Sequence, residues 1–98
     1  MSELDKLEAY LKEKGIVYQR IDKDSPVGDY GYGSQHQICV IDKSGKVLWD
    51  AICHWGSYGY KQGLLEIMGS IVDEKRVGDW VEGCLTAQDV IDRLEGRV

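Results

Sequence analysis

The chain has 98 residues, with 17 acidic against 12 basic side chains and a formal charge of −5. At that length it is expected to be one domain, residues 1–98, able to bury about 60–65% of its unfolded surface without a metal or disulfide. The acidic balance supplies no basic footprint for a nucleic acid. No long apolar run and no charged-then-apolar leader occurs, so a cytoplasmic protein without membrane association is expected.

Acidity is uneven: residues 1–61 hold nine acids and eight bases, and residues 62–98 hold eight and four. An acidic C-terminal region suits a basic partner surface. Three cysteines, Cys39, Cys53 and Cys84, are an odd number with no C-x-x-C pair, which argues for free thiols rather than a disulfide framework or a structural zinc site.

In chain order, Ser2 reads as an N-cap, Leu4, Leu7, Tyr10 and Leu11 form one helical stripe, and Gly15 ends the helix. Ile16 to Ile21 alternate as a strand. Asp22 to Ser34 holds the only proline and no periodicity, and reads as a long loop.

The centre is Gln35 to Tyr60, a β-hairpin leading into a glycine-rich loop. Gln37 to Ile41 and Val47 to Trp55 are strand-like, and Asp42 to Lys46 is turn chemistry that fits a type I turn closed by a glycine bulge at Gly45. That turn places Asp42 opposite Lys46 and pairs Cys39 with Trp49, Val40 with Leu48 and His36 with Ile52. One face then collects Cys39, Ile41, Val47, Trp49, Ala51, Cys53 and Trp55 for the helices to cover. The other collects His36, Ile38, Val40, Leu48, Asp50, Ile52 and His54. A slip of one residue would regroup His36 with Cys53 and separate it from His54.

The loop Gly56 to Tyr60 follows a strand and precedes an expected helix start, but it lacks the P-loop spacing and reads as a structural connection. Tyr60 to Val72 carries Leu64, Leu65, Ile67, Met68 and Ile71 and fits a helix ended near Gly69. Asp73 to Gly83 reads as a loop pinned by Trp80. Thr86 with Asp89 is close to a capping box, opening a last helix with Val90, Ile91 and Leu94 as its buried stripe and Gly96 as its end. The expected fold is α+β, in the order α-β-β-β-α-α, with a three-stranded antiparallel sheet backed by helices.

The sharpest chemical constellation is His36, Asp50 and His54, which that register brings to one face. Two imidazoles and a carboxylate form a metal set with open positions, or an acid–base pair with Asp50 orienting one histidine. The competing interpretation is polar residues at the margin of an apolar face, and no cofactor is expected. Cys53 and His54 are consecutive in a strand and point apart, a poor nucleophile–base geometry. Tyr58 and Tyr60 in the glycine loop, and Asp79, Trp80 and Glu82 in the acidic region, are the candidate partner contacts.

The stretches LEAYLKEKGI (residues 7–16), HQICVID (36–42), LWDAICHWGSYG (48–59), LLEIMG (64–69) and VEGCLTAQDVI (81–91) give the chain a likeness over most of its length. It resembles small phage- and prophage-encoded proteins of Gram-positive (Firmicutes) gut bacteria, a group with no assigned activity to transfer. The resemblance implies a phage accessory protein acting by binding a host component. The expected element order is also similar to that of the double-stranded RNA-binding domain, but the start of the helix expected there carries one lysine, Lys61, in acidic surroundings, which argues against RNA.

The expectation is therefore a non-enzymatic protein-binding module for a host or phage protein, through an exposed sheet face that also offers a route to a homodimer. A small metal-dependent or acid–base enzyme using His36, Asp50 and His54 is the alternative, and a nucleic-acid module comes third.

Overall fold

The computed structural model describes residues 1–23, 34–72, 78 and 80–96. Ser2 caps helix α1, Glu3–Lys14, as a complete capping box: its hydroxyl accepts from the Asp5 N–H and the Asp5 carboxylate accepts from the Ser2 N–H. Gly15 closes the helix in the left-handed conformation. Leu4, Leu7 and Leu11 are its buried stripe, and truncating any one of them to alanine would cost about 2–5 kcal/mol.

Strands β1 (Tyr18–Lys23), β2 (Gln35–Ile41), β3 (Val47–Ile52), β4 (Leu65–Gly69) and β5 (Val81–Leu85) follow. They form one sheet in chain order, every neighbouring pair antiparallel. A single 3₁₀ turn at Tyr60–Gln62 lies between β3 and β4. Helix α2, Ala87–Leu94, opens on a second complete capping box made by Thr86 and Asp89. No helix among the described residues is long and apolar enough to cross a membrane.

Both helices lie on the same face of the sheet. Their Leu4, Leu7, Leu11, Ala87 and Val90 join Ile38, Val40, Trp49, Ala51, Leu65, Ile67 and Leu85 in one buried cluster. The helices run side by side in the same direction, because the Ala87 N–H donates to Glu3 Oε1 (2.8 Å) and the Tyr10 hydroxyl donates to Glu95 Oε1 (2.9 Å). A second polar tie holds β5 to α2: Arg93 grips the Glu82 carboxylate with two hydrogen bonds of 3.1 and 3.0 Å.

The hairpin turn forms as its chemistry predicts. Asp42 N–H donates to Lys46 O, and Asp42 Oδ1 accepts from the N–H groups of Ser44 and Lys46. Gly45, at φ 88°, closes it. The pairing then departs from the expected one, because Ile41 pairs with Val47 but Val40 pairs with Trp49. Leu48 is one extra residue in β3, a β-bulge, and beyond it every partner is shifted by one. Ile38 and Val40 consequently join Trp49 and Ala51 under the helices. Cys39, opposite Asp50, goes to the other face.

Three further expectations are corrected. The sheet has five strands, not three, and two helices are described. The apolar run assigned to a middle helix is β4: with Gly63 and Gly69 at its ends only five residues remain, and Leu65 and Ile67 are buried while Glu66 and Met68 are not, a period of two. The supposed loop before the last helix contains β5, whose pattern is obscured by Gly83 and by Cys84 at φ 59°. The long connection expected over residues 22–34 falls, from 24 to 33, outside the described residues; Asp22 and Lys23 extend β1.

Gly69 carries the closest backbone approach to the bulge. Its φ is 112°, and an added Cβ would sit 2.6 Å from Leu48 O and 2.7 Å from Trp49 Cα. Gly69→Ala is therefore expected to cost about 2–4 kcal/mol through strain and collision together. Gly45→Ala, at a positive φ with nothing within 4 Å of the new methyl, should cost only about 1–2 kcal/mol. Urea unfolding midpoints of the two variants check the difference, and equal losses would mean that the close approach to Leu48 is unimportant.

Candidate functional site

The bulge decides which polar side chains meet. His36 has the same parity in β2 as buried Ile38 and Val40, so it lies on the helix side, whereas Asp50 pairs with Cys39 and Met68 on the opposite side. The Asp50 carboxylate accepts from Gln37 Nε2 at 2.7 Å. His54 uses its ring elsewhere: Nδ1 accepts the His36 backbone N–H at 2.8 Å. His36, Asp50 and His54 thus do not converge, and no three metal-ligating side chains among the described residues do.

A different row is assembled in their place. The β2–β3 ladder continues past the end of β3, with Cys53 N–H donating to His36 O (2.9 Å) and Trp55 N–H to Ser34 O (2.7 Å). On the other side of β2, His36 pairs with Asp22. Asp22, His36 and Cys53 therefore stand abreast on three adjacent strands, all on the helix face. His36 Nδ1 lies 2.7 Å from Asp22 Oδ1. The hydrogen bond with His36 holds the Asp22 carboxyl below its usual range, with Arg20 adding to the effect.

Arg20 fixes the surroundings. Its guanidinium meets Asp5 (2.9 Å) and Glu8 (3.1 Å) on α1 and Asp22 (2.9 Å) on its own strand. The row and Arg20 open into a cleft of about 280 Å³ whose other walls are the first turn of α1, Gly63 and Leu65. Burial raises the Cys53 thiol above its ordinary value, and burial does the same to Cys39 with the Asp50 charge adding to it. Sequence reasoning missed Asp22, which it gave to a loop, and reached Cys53 only as the neighbour that a one-residue slip would give His36, which is the register the bulge produces.

The opposite face carries no helix of the described chain. It presents Ile21, Cys39, Ile41, Ile52 and Met68, with Asp50 and Glu66 as its acids. Met68 is 54% exposed. Tyr58 is 69% exposed, lies against Gly83 where any side chain would collide with it, and donates its N–H to Glu66 Oε2. Tyr60 begins the 3₁₀ turn and is half-buried. Trp80 is 74% exposed beside Met68 in a shallow groove. Glu82 is held by Arg93 on the helix side and so is a structural carboxylate rather than a contact on the open face. Asp79 lies outside the described residues.

No protein-family model matches the chain, and no curated protein or solved structure matches it.

The His54 geometry sets a pH dependence. Its Nδ1 must be unprotonated to accept the His36 N–H, and burial, with His36 adding to it and Asp50 opposing it, lowers its pKa from 6.5. The unfolded chain then takes up this proton first as pH falls, so stability is full above about 6.5 and declines as pH drops below that value. His54→Asn keeps an acceptor but does not titrate. Urea midpoints measured between about pH 8 and about pH 5 should fall more for the natural chain than for the variant. Parallel curves would show that this hydrogen bond does not sense pH.

Proposed function

We propose that the protein is a protein-binding module that docks a host or phage protein, inside the cell, on the helix-free face of its sheet. The supporting observation is the sidedness of the sheet: α1 and α2 both cover one face, and on the other Ile21 and Met68 are exposed beside half-buried Ile41 and Ile52. Contiguous exposed apolar surface of this kind is characteristic of interaction sites.

The chemistry of that face selects the partner. Asp50 and Glu66 set two carboxylates among Ile21, Ile41, Ile52 and Met68, so the complementary surface is an apolar ridge flanked by lysine or arginine. Tyr58 and Trp80, large and exposed near the β4–β5 end, suit the anchor positions of such an interface. The overall charge of −5 favours approach of a basic partner. The likeness to phage and prophage proteins supports drawing that partner from the host or the phage.

Photocrosslinking tests this reading. A benzophenone side chain at Met68 should yield a discrete adduct in host lysate, competed by excess natural chain and not by Met68→Asp. The same probe at Lys12, on the solvent side of α1, should not yield it. An adduct of twice the chain's mass would make the partner a second copy, and identical adducts from both positions would remove the reading.

A further inference from the structure

The two edges of the sheet are built differently. β5 is bulged at Cys84, which has a φ of 59°, and the loop over residues 56–60 leans on it, with Tyr58 against Gly83 and Gly59 against Cys84. β1 runs six residues without a bulge, and no described strand lies on its outer side. A regular open edge is a template for another strand.

The hydrogen-bond parity of the sheet fixes which backbone groups face outward. Ile41 N–H donates to Val17 O (3.3 Å), and on the other side of β2 Cys53 N–H donates to His36 O. Odd-numbered residues of β2 therefore bond to β1 and even-numbered ones to β3. Their partners in β1 are Gln19, Ile21 and Lys23, opposite Cys39, Gln37 and Gln35. The N–H and C=O groups of Tyr18, Arg20 and Asp22 consequently point away from the sheet, and no described residue bonds to them.

We propose that β1 pairs antiparallel with β1 of a second copy about a two-fold axis through Ile21, joining the two sheets edge to edge. The side chains select that partner and that register. Directly opposed residues of antiparallel strands share a face, so a symmetric seam centres on one residue rather than between two. Centring on Arg20, Asp22 or Lys23 opposes like charges, which is unfavourable, and centring on Tyr18 or Gln19 pairs no opposite ones. Centring on Ile21 sets Ile21 against its copy, Arg20 against Asp22 and Gln19 against Lys23. The outward N–H groups of Arg20 and Asp22 then each meet a carbonyl of the other strand. α1 packs chiefly on β2, so it stands three strand spacings, roughly 14 Å, from its copy, clear of the distance of about 8–10 Å at which helices touch. The helix-free faces run on across the axis with both Ile21 side chains at the seam. The pairing rests on β1 alone and stands whether or not that face docks a protein.

Analytical ultracentrifugation of the full chain tests the seam. Edge pairing buries less than a standard interface, so the natural chain should pass from monomer to dimer as its concentration rises into the sub-millimolar range. Ile21→Lys, at an exposed position, opposes two lysines and should weaken the dimer about tenfold or more, with an unchanged circular dichroism spectrum. The register is read by disulfide trapping in a Cys39→Ser, Cys84→Ser chain. The two copies of residue 21 form a pair without hydrogen bonds, about 4.5 Å apart between Cα atoms, so Ile21→Cys should cross-link under mild oxidation. Lys23 lies opposite Gln19 and so roughly 13 Å along the seam from its own copy, and Lys23→Cys should not cross-link. The proposal is overturned if the natural chain stays monomeric at those concentrations, if Ile21→Lys dimerises as well as the natural chain, or if Lys23→Cys cross-links as readily as Ile21→Cys. Met68 lies three strands from the seam, so photocrosslinking there reports on face docking alone.

Discussion

One surplus residue, Leu48, governs how the sheet is used. Side chains alternate along a strand, so adding one residue to β3 exchanges the residues of β2 that share a side with it. Ile38 and Val40 enter the core because of that exchange, and His36 follows them. The bulge is not fixed by the hairpin alone. Ser70 N–H takes the Leu48 carbonyl at 3.0 Å, and Gly69 lies close against it. The end of β4 thus determines the pairing between the two strands before it.

This dependence explains what the amino-acid sequence disclosed. Features whose causes are local were readable: the N-cap at Ser2, the capping box of Thr86 and Asp89, the stop at Gly15, the turn from Asp42 to Lys46, and the three leucines of α1. The alternation within each strand of the hairpin was readable as well. The shift between those strands was not, because it depends on a backbone contact about twenty residues further along. The short β4 could not be distinguished from a helix by apolar spacing alone, since Leu64, Leu65, Ile67 and Met68 satisfy both periods. β5 was hidden because Gly83 and the bulged Cys84 interrupt its pattern. Of the candidate site, His36 was visible, Cys53 appeared only as its neighbour in the slipped register, and Asp22 was not visible, since neighbours across a sheet are a property of register.

The two sides of the sheet have different physical characters. On the helix side, polar groups are cross-linked: Arg20 serves three carboxylates, Asp22 serves both Arg20 and His36, and Glu82 is clasped by Arg93. Those links fix side chains at the margin of the core and hold α1 to the edge strand β1. On the other side, Asp50 accepts a hydrogen bond from the Gln37 amide and Glu66 one from the Tyr58 N–H, so neutral donors hold both acids among apolar neighbours. A fixed cleft and an acidic, apolar platform are thus set back to back by one sheet.

The Glu3–Ala87 and Tyr10–Glu95 hydrogen bonds join residues 84 and 85 positions apart. During synthesis α1 leaves the ribosome first, yet the groove that receives it has only one wall until the last dozen residues emerge. The meander can assemble strand by strand from neighbouring hairpins, but the helical layer closes at the end. Loss of a few C-terminal residues would accordingly loosen the beginning of the chain as much as its end.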